Sequence, residues 1–531
     1  MFGAVIVSVE SAILPRAWRF DGVSVAGAFA ALICTAPALA VFAFALAPSA
    51  NETSLAGNLM RDGVLGTLAL MAVGGGGAIV FGASTAWLVT LCRFPGRGLY
   101  EWLLVLPLAA PSYVLAYSYS SLTWAGGPVP FPVRGFWGAA FVYAVGLYPY
   151  VYLAARAAFA SQSVCALEAA RTLGSRPAKV FWRVALPLAR PGIAAGGALA
   201  LMEIAADYGA AQHFGVTTMS TAIFRAWYAH GAPHAALQIS ALLLAAALVF
   251  LFVERRARGR ASYAGGSTRW RPLPRYEMAA PLAWGASISC GSLVVLGALA
   301  PLAWLLRLAL LHTSGDLGAL AEPLFNSLLL ATCGAGITLV LAAVIAAAGR
   351  RGAAGKTALF AAGMGYAAPG AVIALGALSL FGLAREAGWV GGFGGALAVG
   401  ALLWAYAARF AAAGAQPIDA GFSRLAKGID ASARTLGAGA MKRLLRIDLP
   451  IAAPSVAAAA LIVFVEILKE LPATLILRPF NFDTLAIKAY FYASDERLLQ
   501  AAAPSLLIFL AGLAPILVLS HGLARSRAGA R

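Results

Sequence analysis

The 531-residue chain is 61% hydrophobic and only 11% charged, with a mean hydropathy of +0.82. A soluble domain carries about a quarter charged residues, so this composition excludes a string of soluble domains and points to an all-α polytopic membrane protein. The net charge of +18 would suggest nucleic-acid binding in a soluble protein. Here Lys and Arg sit in short loops between apolar runs, the pattern that orients a membrane protein, and no nucleic-acid partner is expected.

Uncharged apolar runs of about 20 residues, each able to cross about 30 Å of lipid hydrocarbon as a helix, predict about twelve spans. The first six lie near residues 22–47, 63–91, 102–122, 136–160, 191–208 and 236–253. A second six follow near 284–311, 325–349, 357–382, 394–413, 454–472 and 501–521. Gly and Ala interrupt the runs, as suits helices packed closely in a bilayer. Loops 92–101, 161–190, 254–277 and 424–446 are basic, as are Arg350, Arg351, Lys356 and the tail bearing Arg525, Arg527 and Arg531. Loops 48–62 and 312–324 are poor in Lys and Arg, which predicts that both termini are cytoplasmic. Arg16 and Arg19 precede an apolar run too long for a signal-peptide core, so the first span is expected to start from the cytoplasm. Cys34, Cys92, Cys165, Cys290 and Cys333 are scattered, and neither a disulfide framework nor a zinc site is expected.

The chain repeats itself. EAARTLG at 168–174 returns as ASARTLG at 431–437, 263 residues later. The same offset carries Leu186-Pro187 onto Leu449-Pro450, Glu203 onto Glu466, Asp207 onto Glu470, Thr221 onto Thr484, Arg225 onto Lys488 and Trp227 onto Tyr490. The expected organisation is two six-span halves, 1–253 and 278–531, joined by the basic stretch 254–277. Halves of equal orientation imply a pseudo-two-fold axis along the membrane normal, with the pathway between them.

Each repeat contains a cytoplasmic loop in which a short helix ends at glycine and a Leu-Pro pair opens the next span. The loop resembles the EAA motif of the binding-protein-dependent permeases of ATP-binding-cassette importers. Glu168, Ala169, Ala170, Gly174, Val184, Leu186 and Pro187 fit that pattern, as do Ala433, Gly437, Ile447, Leu449 and Pro450. Ala431 stands where Glu is usual, with Asp430 one residue early, which implies one polar contact fewer in the second loop. The resemblance implies a MetI-like fold and coupling helices near 166–180 and 429–443, each received by one of two copies of a cytoplasmic ATPase. It also implies a periplasmic binding protein as partner. The chain has no GxxxxGK[ST] phosphate loop, so ATP and Mg2+ are expected on the partner ATPase, with no cofactor in this chain and no enzyme activity of its own. FPGR at 94–97, LPLAAPSYVLAY at 106–117, LMEIAADYG at 201–209 and KELPATLILRPFNFDTLA at 469–486 are similar to the ferric-iron branch. Thiamine, polyamine and phosphonate permeases are near neighbours of that branch.

Glu203 and Asp207 are four apart on one helix face, and Glu466 and Glu470 hold the matching places. Carboxylates are costly in hydrocarbon and usually face a bundle interior or a watered cavity. Four of them around one passage suit a hard cation such as Fe3+, though an organic cation would also be served. Two competing assignments pair them with Lys469 or Arg225 as structural ion pairs, or place them simply at the outer membrane surface. No tightly bound metal is expected, because a conduit must release its cargo. Tyr113, Tyr117, Tyr119, Tyr143, Tyr148, Tyr150 and Tyr152 are read as interfacial belt or packing. His213, His230 and His234 are read as surface residues, since imidazole prefers zinc, copper or nickel to Fe3+. The sequence therefore predicts an inner-membrane importer permease, most simply for ferric iron. An ion-gradient-driven secondary transporter is the alternative class, and it would need neither an ATPase nor EAA loops.

Overall fold

In the computed structural model the chain is described over residues 22–46, 52–123, 133–160, 177–261, 275–312, 318–389, 394–423 and 435–528, with a few isolated positions between. In chain order the helices begin with α1 (Gly22–Ala45), α2 (Ser54–Leu91), α3 (Arg97–Ala109), α4 (Ser112–Thr123), α5 (Gly135–Ala160) and α6 (Phe181–Ala206). Then come α7 (Gly209–His213), α8 (Met219–Phe224), α9 (Pro233–Ala261), α10 (Ala280–Leu311) and α11 (Gly318–Gly349). The remainder are α12 (Ala354–Ala367), α13 (Gly370–Glu386), α14 (Gly395–Ser423), α15 (Ala440–Ile451) and α16 (Ala453–Leu468), then α17 (Pro472–Leu477), α18 (Leu485–Ser494) and α19 (Leu498–Ala528).

Eight of these, α1, α2, α5, α6, α9, α10, α11 and α14, are long and apolar enough to cross a membrane. Three bent pairs raise the number to eleven: α3–α4 at 92°, α12–α13 at 107° and α15–α16 at 83°. The last expected span corresponds to α19, whose apolar segment Leu498–Ala514 is shorter. Two of the bends have one local cause. Ala110 and Ala368 precede Pro111 and Pro369, and both are extended (ψ 124° and 105°), because the proline ring disfavours helical geometry in the residue before it. Several expected boundaries move, among them the end of α14, at 423 rather than 413. α2 begins at residue 54 rather than 63, and α6 at 181 rather than 191. Helix α9 continues to Ala261, through the first part of the basic stretch 254–277, whose residues 262–274 lie outside the described ones.

That stretch ends in the only strands among the described residues, a two-residue parallel pairing of Cys92–Arg93 with Tyr276–Glu277. Arg93 and Glu277 close it with an exposed 2.9 Å ion pair. Beyond it the packing crosses over. Helix α1 lies against α11, α12, α13 and α14, far later in the chain, and Trp404 Nε1 donates to Ile33 O across that contact at 3.0 Å. Helix α10 instead lies against α3, α4, α5 and α19. There Trp304 Nε1 donates to Ser121 Oγ at 3.0 Å, and Tyr119 donates its hydroxyl to Leu296 O. Helix α1, early in the chain, and helix α10, near its middle, are thereby each held against helices far away in sequence.

Both Leu-Pro pairs follow one turn of π-helix, Phe181–Ala185 and Leu444–Asp448, at the 263-residue spacing. Leu186 N–H reaches Phe181 O and Leu449 N–H reaches Leu444 O, five residues back in each case. Proline cannot donate, and the wider turn lets the helix re-satisfy its carbonyls ahead of it.

Candidate functional site

Two helices break near the centre of the molecule, and each break is closed by one of the expected acids. Helix α6 ends at Asp207, whose backbone turns extended (ψ 128°). The Asp207 carboxylate then accepts from Ala210 N–H at 2.8 Å and Ala211 N–H at 3.4 Å, capping α7. It also accepts from Tyr143 Oη at 3.0 Å and from Ser112 Oγ. Helix α16 ends at Leu468, and Glu470 caps α17 in the same way, accepting from Ala473 N–H at 3.1 Å and Thr474 N–H at 3.0 Å. Arg409 Nη1 and Thr474 Oγ1 complete its shell at 2.9 Å each. An interrupted span leaves amides that lipid cannot satisfy. A carboxylate at the new N-terminus supplies the acceptor and matches the helix dipole.

The other two acids are placed differently. Glu203 stands one turn before Asp207. Glu466 makes a 2.7 Å ion pair with Lys469, and both partners are partly exposed. All four acids line one cavity of about 100 Å³, together with Ser112, Tyr113, Tyr150, Arg409 and Lys469. That is room for a small ion with a few waters. Four carboxylates against two basic groups leave the wall formally negative. Of the two cations offered as structural partners, Lys469 pairs as expected. Arg225 does not: its Nη1 donates to Thr217 Oγ1 at 3.1 Å, and it lines a separate cavity with Tyr208, Tyr228 and Tyr490.

Of the loop residues, Glu168, Ala169, Ala170, Gly174 and Asp430 lie outside the described residues. Leu186-Pro187 and Leu449-Pro450 sit just after their π turns. Gly437 has φ +74°, with Leu436 N–H bonded to Ser432 O at 3.1 Å and Ala438 N–H to Ala433 O at 3.0 Å. This is a left-handed glycine terminating a helical turn, and Ala433 is buried beneath it.

Residues 78–258 match the family described as binding-protein-dependent transport system inner membrane component. The chain is 26% identical over 472 residues, 87% of its length and 90% of the relative's, to the Fe(3+)-transport system permease protein FbpB 2 of Haemophilus influenzae. It is 30% identical over 195 residues to the molybdenum transport system permease protein ModB of Escherichia coli, covering 33% of this chain and 84% of that one. The sulfate transport system permease protein CysT of Salmonella typhimurium is 31% identical over 195 residues, 67% of its length. The chain belongs to this permease family. It is a multi-pass inner-membrane component of an ATP-binding-cassette importer, and family membership implies a binding protein and a separate ATPase as partners.

Of the seven tyrosines read as belt or packing, six pack in the permease's interior, and Tyr150 is half-buried and lines the acid cavity. Tyr113, Tyr117, Tyr119, Tyr143, Tyr148 and Tyr152 are buried, and four of the six donate inward: Tyr113 to Lys469 O, Tyr119 to Leu296 O, Tyr143 to Asp207 and Tyr152 to Glu101 O. His213 is half-buried. Its Nε2 lies 2.8 Å from Ser120 Oγ, its ring meets Tyr117 edge-on at 4.9 Å, and burial pushes its pKa down to about 4. His230 is exposed and His234 half-buried. The described residues contain no cluster of three or more His, Cys, Asp or Glu able to hold a metal. Sequence reasoning missed Arg409 altogether, though a lone arginine inside the apolar run 394–413 was the available signal.

Proposed function

We propose that this permease carries a hard metal cation, ferric iron, through the acid-lined centre. One observation carries the reading: all four matched carboxylates share a cavity whose formal charge is negative. The match to a ferric permease over most of both chains supports it. Relatives named for molybdenum and sulfate transport match over about a third of this chain, and an oxyanion such as sulfate would be repelled by these walls.

The pathway in this reading lies between two pseudo-symmetric six-span halves, 1–253 and 278–531, with both termini cytoplasmic. A periplasmic binding protein delivers cargo to the outer face. Two copies of the ATPase bind ATP with Mg2+ and move the loops around 166–180 and 429–443, so that the passage alternates between outward and inward access. Arg350 stands where a phosphate loop ending in Gly355-Lys356-Thr357 would need its first glycine, which supports placing hydrolysis on the partner. Gly437 and the paired π turns support the loop assignment.

Reconstitution with the ATPase and the binding protein in liposomes tests this. ATP-dependent accumulation of Fe3+, with none of molybdate or sulfate, is expected. Accumulation of an oxyanion without iron would refute the cargo assignment.

A further inference from the structure

The two capped breaks differ in one respect that the repeat makes visible. Tyr143-Ala144-Val145-Gly146 in α5 corresponds, 263 residues on, to Tyr406-Ala407-Ala408-Arg409 in α14. The tyrosines serve like roles: Tyr143 donates to Asp207, and the Tyr406 hydroxyl lies 2.6 Å from Thr474 Oγ1, itself bonded to Glu470. Gly146 and Arg409 both line the acid cavity. Thus one half leaves the wall bare where the other inserts a guanidinium.

The surroundings are built to admit that group. A Cβ on Gly370 would lie 2.0 Å from Arg409 Nη1 and 2.4 Å from Glu470 Oε1, so α13 must start with a residue lacking a side chain for the pair to form. The corresponding place after the other Ala-Ala-Pro turn is Ser112, which serves Asp207 as a neutral donor. Glu470 does not need Arg409 for its capping role, since Ala473, Thr474 N–H and Thr474 Oγ1 already occupy its oxygens. Asp207 caps its helix with no cation in contact. A charge fixed beside Glu203 and Glu466 without being required by the cap acts on whatever else enters the cavity.

We propose that Arg409 is a tethered counter-cation: it competes with the transported cation for the acid cavity and keeps the cavity's affinity low enough for release. The proposal rests on the acid-cavity reading above. Its consequence is that removing this charge tightens cation binding, whereas removing the facing acids weakens it.

The test uses the full permease with its ATPase in nanodiscs, titrated with Tb3+ as a hard trivalent probe and read by tyrosine-sensitised luminescence. Arg409→Gln is expected to bind Tb3+ at least tenfold more tightly than wild type. Arg409→Lys, which keeps the charge, should stay within about threefold of wild type. Because Arg409→Gln leaves Glu470 without its cation, the comparison is repeated in a Glu470→Gln background, where adding Arg409→Gln should again tighten binding at least tenfold. Unchanged or weaker binding from Arg409→Gln in both backgrounds, with Glu203→Gln/Glu466→Gln abolishing the signal, would reduce Arg409 to a structural partner and overturn the proposal. Wild-type binding by Glu203→Gln/Glu466→Gln would overturn the acid-cavity reading itself, and the proposal with it.

Discussion

The breaks at Asp207 and Glu470 solve one problem with different chemistry. Both interrupt a span, both expose the N-terminus of a short helix, and both cover it with a carboxylate. Around Asp207 the remaining acceptor capacity goes to Tyr143 and Ser112, which are neutral. Around Glu470 it goes to Arg409, whose side chain is only 17% exposed. The comparison teaches that capping a broken helix and setting the charge of the passage are separable tasks. The first needs an acceptor at a fixed place, and the second depends on what faces that acceptor from the neighbouring helix.

Removing the acceptor should separate the two breaks most widely. Glu470→Ala strips a cap and leaves Arg409 buried without its partner, a loss of about 3–5 kcal/mol. Asp207→Ala strands neutral donors only, at about 1–3 kcal/mol. Thermal unfolding of the detergent-solubilised protein should rank Glu470→Ala clearly below Asp207→Ala. Equal losses would mean that Arg409 is solvated and that the two breaks are alike.

A smaller effect is expected at the cytoplasmic loops. Gly437 holds φ +74°, and Gly437→Val would impose about 1–3 kcal/mol of local strain. Co-purification of the ATPase should weaken while the permease itself folds and inserts. Undiminished co-purification would remove the second loop from the coupling interface.

An effect confined to acid pH concerns His213, which sits beyond the Asp207 break. Burial lowers its pKa from 6.5 to about 4, so folding favours the neutral ring. The stability this confers is present above about pH 6.5 and is lost as pH falls toward 4. His213→Asn should flatten that part of the melting-temperature profile, and an unaltered slope would show that the ring is hydrated.

Much of this was legible beforehand because it rests on strong local signals. Apolar runs located the spans, and the 263-residue repeat found all four acids of the central cavity. The bends were harder to read. Ala110-Pro111 and Ala368-Pro369 lie inside unbroken apolar runs, yet proline in a membrane helix is often accommodated without a break. Pro191 shows this, staying inside continuous α6, while its counterpart Pro454 follows the 83° bend between α15 and α16. The division of labour among the acids was not readable at all. Spacing put Glu203 with Asp207 and Glu466 with Glu470, but which one caps a helix depends on where the helix stops. Arg409 was hidden for a related reason: its partner arrives from another helix, 61 residues along the chain. Arg225, two residues before Trp227, looked the better candidate and is spent on Thr217.

The central claim is that Glu203 and Glu466 handle cargo while Asp207 and Glu470 hold the fold. Uptake of Fe3+ by Glu203→Gln/Glu466→Gln, reconstituted with the ATPase and binding protein, tests it most directly when melting temperature is measured on the same preparation. The expected result is at least a tenfold fall in uptake with the melting temperature kept within a few degrees. Wild-type uptake, or a loss of uptake matched by a collapse in stability, would contradict the account.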